Sequence, residues 1–209
     1  MDDVSQGRLI VGVGSGGTGF DATVLGHDPW SVRERHERFD EFTRALDQLL
    51  REPSSSRPGQ YYPVVESRQL PGPVQQPRPP LYISATGPKT MALTTEIADG
   101  WVSLNNTSAT DAESAFQSAR AQMALMNDAL SRRSRESRSL YKVFLDQQSQ
   151  EGPLRSYEEF IEWAGRYHEL GFDELVIHWP IPDSQFACDF DVFERIATEG
   201  RHHIDEWRR

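Results

Sequence analysis

Cys188 is the only cysteine in the 209-residue chain, so an internal disulfide is excluded and a reducing, cytoplasmic setting is expected. Long hydrophobic runs are also missing. No apolar stretch approaches the ~18 residues of a membrane span, and the N-terminus, MDDVSQGR, lacks the apolar segment of a secretory signal. Positive charge is scarce, with 22 Lys and Arg against 32 Asp and Glu and a net charge of −10. Such a chain is a poor match for nucleic acid or an anionic bilayer, and neither is expected as a partner. The densest basic patch, Arg132, Arg133, Arg135 and Arg138, alternates with serines and reads as a solvated loop.

Several motifs are absent as well. Lys89 has no upstream glycine at phosphate-loop spacing, and Val13 stands where a G-x-S-x-G nucleophile turn needs its first glycine. His202 and His203 are adjacent, but no Cys or His lies at zinc-ligand spacing, so no metal is expected. Gly12, Gly14 and Gly17 fit G-x-G-x-x-G, yet no helix-capping residue appears until Ser31, which argues against a dinucleotide fold.

What is present is an alternation of short apolar runs and amphipathic segments. The runs are residues 8–14 (RLIVGVG), 81–85 (LYISA), 100–104 (GWVSL), 140–145 (LYKVFL) and 174–179 (ELVIHW). Their length and composition suit strands covered on both faces. Three S/T-x-x-E capping boxes, Ser31 with Glu34, Thr110 with Glu113 and Ser156 with Glu159, open helices between them. The first helix carries an apolar face of Phe39, Phe42, Leu46, Leu49 and Leu50. The second carries Ala112, Phe116, Ala119, Met123, Met126 and Leu130. The third carries Phe160, Trp163, Ala164, Tyr167 and Leu170 and stops at Gly171. Pro88 is suited to begin a further helix over 88–98, and a last one is expected over 191–199. The order is βαβαβαβαβα, an α/β fold in one domain spanning 1–209. A Pro-, Ser- and Gly-rich excursion at 52–80 interrupts it, with a short strand expected around Tyr61, Tyr62, Val64 and Val65.

Three places could carry chemistry. Ala85-Thr86-Gly87-Pro88-Lys89 joins a strand end to a helix start, where free N–H groups and the helix dipole favour an anion; an ordinary strand-to-helix turn has the same form. Gly14, Ser15, Gly16 and Gly17 end another strand, as a close-approach turn or a flexible connection. His178 lies in the last apolar run, either as a proton or hydrogen-bond donor or as a buried, satisfied histidine. Asp21, the carboxylate nearest the glycine run, suits a cap or turn.

RLIVGVGSGG, ERHERFDEFTRALDQLL, GQYYPVV, LPGPVQQPRPPLYISATGPKTMALTTEIADGW and GFDELVIHWP follow the order and spacing of the bacterial luciferase-like monooxygenases. The resemblance covers roughly residues 3–199 and is most specific over 73–101. It implies a (β/α)8 TIM barrel represented here by strands 4 to 8 with their helices. It also implies an oxidoreductase or monooxygenase that uses reduced FMN or the deazaflavin coenzyme F420 on a small organic substrate. On this resemblance Ala85, Thr86, Gly87, Pro88 and Lys89 hold the cofactor phosphate, Gly14, Ser15 and Gly16 pack beside the cofactor, and His178 is the catalytic candidate at the end of the eighth strand. Some sugar-phosphate dehydrogenases of the family place an acidic group near the glycine turn, where this chain has Gly17 and Thr18.

Five strands do not close an eight-stranded barrel, which typically takes ~250 residues. A misplaced start, a split enzyme and a gene remnant all account for this. The alternative function is therefore a non-catalytic remnant, or a subunit needing another chain or a second copy to complete the sheet. Exposed barrel-interior side chains forfeit roughly 25 cal/mol per Å². The isolated chain is thus expected to be marginally folded, self-associated or partnered. Analytical ultracentrifugation with thermal unfolding checks this: a monomer melting cooperatively above about 65 °C contradicts it.

Overall fold

The computed structural model describes residues 1–17, 20–104, 111–146, 153–184 and 186–207. It divides into two compact units, residues 1–101 with 132–140 and residues 102–131 with 141–209. A five-stranded sheet runs in the order β1 (Val11–Val13), β4 (Leu81–Ser84), β5 (Gly100–Leu104), β6 (Tyr141–Leu145) and β7 (Glu174–Val176). The first and last expected strands are thus its edges. β1 pairs parallel with β4, Val13 opposite Ile83, and β6 pairs parallel with β7, Phe144 opposite Leu175. The excursion contains a separate antiparallel pair, β2 (Ser54–Arg57) and β3 (Val64–Arg68). Tyr61 and Tyr62 precede β3 instead of joining it.

In the first unit, α2 (Val32–Arg51) starts at Ser31, whose Oγ accepts from the Glu34 N–H at 3.2 Å. The Glu34 carboxylate pairs with Arg38 at 3.0 Å. The expected face of α2 holds in part: Phe39 is buried and Leu46, Leu49 and Leu50 are half-buried, but Phe42 is 40% exposed, and Thr43 and Ala45 are buried instead. Thr43 is tolerated there because its hydroxyl donates to the Phe39 carbonyl at 2.6 Å. A five-residue helix, α1 (Phe20–Val24), was not foreseen. α3 (Pro88–Ile97) begins at Pro88 as expected. Gly100 opens β5 under the Tyr82 ring, where a Cβ would meet ring atoms at 2.5 Å, so a larger residue displaces Tyr82 from β4.

Arg78 is the polar centre of this unit. Its side chain is 2% exposed. It donates to Asp47 of α2, to Asp99 before β5, to the Pro79 carbonyl at 2.9 Å and to the Ile97 carbonyl at 2.9 Å. Burial opposes its charge, but Asp99 and Asp47 outweigh that and raise its pKa. Asp99 also accepts from the Leu81 N–H at 2.8 Å, which sets the start of β4. The arginine-serine segment is not simply solvated. Arg133 pairs with Glu96 at 2.7 Å, and Arg135 donates to the Thr95 and Ala98 carbonyls at 3.1 and 2.9 Å, satisfying the C-terminal end of α3.

The second unit is built on an aromatic cluster. Tyr167 and Phe144 lie 4.3 Å apart, with Trp163, Phe116 and Phe172 around them. α4 (Ala112–Arg132) buries the expected Ala119, Met123, Met126 and Leu130, and Gln122 bonds Ser103 and the Leu104 carbonyl. Its cap candidate Thr110 lies outside the described residues. α5 (Tyr157–Leu170) is capped by Ser156 and ends at Gly171 with φ 105°, as its sequence implies. The last helix runs further than expected: α6 (Phe190–Arg195), a π-helical turn (Ile196–Gly200) and α7 (Arg201–Glu206). No described helix is long and apolar enough to cross a membrane.

Replacing Arg78 with Met leaves two carboxylates and two carbonyls without their donor. The Arg78→Met protein is expected to lose about 3 kcal/mol of stability, read as a lower urea midpoint at unchanged slope.

Candidate functional site

The parallel register of β1 and β4 brings the two predicted turns together. Gly14 follows Val13 and Ala85 follows Ser84 at the carboxyl ends of neighbouring strands; a Cβ on Gly14 would lie 3.5 Å from that of Ser84. Loops at this end of parallel strands build binding sites.

The Ala85–Lys89 turn has two halves. Ala85 is buried, and its carbonyl accepts from the indole of fully buried Trp101 at 2.7 Å. It therefore anchors the turn. Thr86, Pro88 and Lys89 are exposed, and Gly87 is the N-cap of α3 without a side-chain cap. The first-turn N–H groups of Lys89 and Thr90 have no helical acceptor by position, and Pro88 has no N–H. A Cβ at Gly87 would meet no atom within 4 Å, and its φ of −114° makes no demand for glycine. The glycine leaves open space over an uncapped helix start, an arrangement that fits a phosphate.

The glycine turn is pinned. Gly16 has φ +73°, which favours glycine. The Gly17 N–H donates to Asp21, which takes the turn role expected of it, and the Gly17 carbonyl accepts from Arg35 at 2.6 Å. Gly14, Ser15, Gly16 and Gly17 line a cavity of ≈ 270 Å³ that lies wholly in the first unit. Arg35, Arg38, Phe39 and Phe42 of α2 also line it, with Leu25, Pro29, Trp30 and Tyr62. The Arg38 guanidinium sits between the Trp30 and Tyr61 rings, 4.4 and 4.3 Å from their centroids. Burial opposes its charge, but Glu34 and Tyr62 outweigh it and raise its pKa. Sequence reasoning missed this wall, because the helical repeat places Phe42 with the core residues and gives no sign of its 40% exposure.

Glu41 shapes the tyrosine side. Its carboxylate accepts from the N–H groups of Gln60, Tyr61 and Tyr62 at 3.1, 2.9 and 2.6 Å. The Tyr62 N–H first, then those of Tyr61 and Gln60 against an opposing burial effect, hold its pKa below the ordinary value of 4.5.

His178 is placed differently from the expectation. β7 stops at Val176, so His178 lies beyond the strand, in the second unit, stacked on Phe186 at 3.9 Å. Its Nε2 is enclosed, with no hydrogen-bond partner among the described residues. Trp179 is 64% exposed and packs edge-on against Phe193. No group of three His, Cys, Asp or Glu is placed to hold a metal ion among the described residues.

Parallel strands joined by helices, with strand-to-helix turns gathered at their carboxyl ends, define an α/β protein. The model of the luciferase-like monooxygenase family matches residues 1–136, and the chain belongs to that family. An F420-dependent glucose-6-phosphate dehydrogenase of Amycolatopsis mediterranei (strain U-32) is 31% identical over 102 residues, 49% of this chain and 30% of the relative. The chain thus spans about a third of that relative's length. Among solved structures, an F420-dependent secondary alcohol dehydrogenase in complex with an F420-acetone adduct gives a TM-score of 0.68 at 16% identity, over 83% of this chain and 64% of that one. A coenzyme F420-dependent tetrahydromethanopterin reductase from Methanopyrus kandleri gives 0.65 at 13% identity, over 96% and 76%. A monooxygenase from Streptomyces bottropensis gives 0.66 at 18%, over 86% and 64%. At these identities the likeness establishes the fold: an α/β chain corresponding to part of a luciferase-like (β/α)8 barrel, strands 4 to 8.

Glu41 yields a pH prediction. A carboxylate with a depressed folded-state pKa stabilises fully above its unfolded value and loses that contribution as pH falls through the folded one. Glu41→Gln is therefore expected to be less stable than the parent at neutral pH, with the gap closing as pH drops below 4.5. Urea unfolding across a pH series measures it; a gap that persists unchanged in acid contradicts the assignment.

Proposed function

We propose that this chain carries the cofactor-phosphate side of an oxidoreductase or monooxygenase that works with reduced FMN or coenzyme F420 on a small organic substrate. The observation that carries the reading is the uncapped start of α3 at Gly87, open above its glycine, beside the pinned Gly14–Gly17 turn. Thr86, Gly87 and Lys89 would hold the phosphate through a hydroxyl, backbone N–H groups and an ammonium. Ala85 and Pro88 set the shape of the turn. Gly14, Ser15 and Gly16 would let the cofactor approach the backbone closely. When bound, the reduced cofactor supplies the electrons, to oxygen from a flavin or as hydride from a deazaflavin. His178 is proposed as a hydrogen-bond or proton donor through its unpartnered Nε2. A cytoplasmic setting belongs to the same proposal.

A second reading is favoured by the sheet edges. β1 and β7 each have one sheet neighbour, which suits a subunit completed by a second copy or another chain.

Fluorescence titration of the full chain with FMN and with F420 tests the first reading. Micromolar binding of at least one is expected, weakened about tenfold by Lys89→Ala through loss of a charge-assisted contact. No binding of either at high micromolar concentration overturns it.

A further inference from the structure

The ≈ 270 Å³ cavity beyond the glycine turn has a chemistry of its own. Its walls are flat and apolar: Trp30, Phe42 and Tyr62 present rings, and Leu25 and Pro29 close the sides. Phe42 meets the Tyr62 ring edge-on at 5.7 Å, and His27 lies against Trp30 at 6.2 Å. The charged groups on the lining are engaged within the fold. Asp21 and Arg35 hold the two sides of Gly17, and Arg38 is bonded to Glu34 and enclosed between two rings. Two cations and one carboxylate line the space, with the Glu34 and Glu37 carboxylates on the same helix. Both guanidiniums are already engaged by acceptors of the fold, Arg35 by the Gly17 carbonyl and Arg38 by Glu34, which disfavours a phosphate or carboxylate ligand. The Ser15 hydroxyl has no partner among the described residues and sits at the cofactor-turn end of the cavity.

From this lining we propose that the cavity binds a neutral, planar aromatic molecule with a single polar edge group directed toward Ser15. Its rings pack between the Trp30, Phe42 and Tyr62 walls, where offset and edge-to-face contacts add to apolar burial. The Ser15 hydroxyl meets the polar edge. Identifying this molecule as the substrate rests on the oxidoreductase reading; the binding does not. The same lining disfavours a sugar phosphate, although the Amycolatopsis relative is named for glucose 6-phosphate.

Isothermal titration of the full chain without cofactor, using 2-naphthol and glucose 6-phosphate as probes, tests the proposal. One 2-naphthol is expected to bind per chain, and glucose 6-phosphate is expected not to displace it. Leu25 and Phe42 are 72% and 40% exposed, so Leu25→Asp and Phe42→Asp should fold, as circular dichroism checks. Each is expected to weaken 2-naphthol by about tenfold, and Ser15→Ala by less. Absence of 2-naphthol binding, equal binding to both folded wall variants, or displacement of 2-naphthol by glucose 6-phosphate overturns the proposal. The cofactor titrations are separate: 2-naphthol binding with no FMN or F420 binding sinks the cofactor reading and leaves the aromatic site standing.

Discussion

The buried guanidinium of Arg78 is the constraint on which the first unit is arranged. A cation with 2% exposure forfeits its hydration and persists only with compensating acceptors. Arg78 has four, and they come from the end of α2, the segment entering β4, the end of α3 and the turn into β5. Asp99 extends the network to the Leu81 N–H. The strand carrying the Ala85–Lys89 turn and the helix receiving it are therefore tied to one charge at the end remote from the candidate site. Arg135 adds donors to the same end of α3, and Glu96 links α3 to Arg44 of α2. With its C-terminal end held this firmly, α3 presents its N-terminus at a fixed place.

The opposite end of α3 is built by leaving things out. Pro88 supplies no N–H, Gly87 no side chain, and no cap closes the first turn. Two glycines serve two physical ends here. Gly16 is required by a left-handed backbone, whereas Gly87 has ordinary dihedrals and contributes only space. A turn of this form is also a common strand-to-helix connection.

The strand bodies and most helix starts were legible because they depend on local chemistry. Ser31, Ser156, Pro88 and Gly171 each do what their residue type favours. Ends set by tertiary structure were not. β7 stops at Val176, leaving His178 beyond the strand. Periodicity placed Phe42 in the core because an apolar residue facing a cavity and one facing the core look the same in a helical repeat. Thr43 looked polar because its bond to the Phe39 carbonyl is invisible in sequence. Arg78 sits in the proline-rich excursion and Arg135 in a segment that read as a solvated loop. Each bonds a carbonyl at the end of α3, and no single-sequence pattern pairs a loop arginine with a distant helix terminus. α1 escaped notice because five residues are too few for a periodic signal.

Both turns at the site are held before any ligand arrives. The Gly17 N–H and carbonyl are both occupied by side chains, Asp21 and Arg35, and the Ala85 carbonyl by Trp101. Ordering a loop on binding subtracts from affinity, so a turn fixed by the fold keeps more of each phosphate contact. The same holds for the aromatic wall. Glu41 fixes the backbone of Tyr61 and Tyr62 through three N–H groups, Tyr61 and Trp30 clasp Arg38, and Arg38 is bonded to Glu34. An exposed aromatic surface left to itself tends to collapse onto its neighbours. Here Arg38 lies against Trp30 of the wall and against Tyr61 beside it, and the carboxylates of α2 hold both the cation and the loop. The charges around the cavity are thus engaged in fixing its walls: Arg35 holds the Gly17 carbonyl, Glu34 holds Arg38, and Glu41 holds the tyrosine loop.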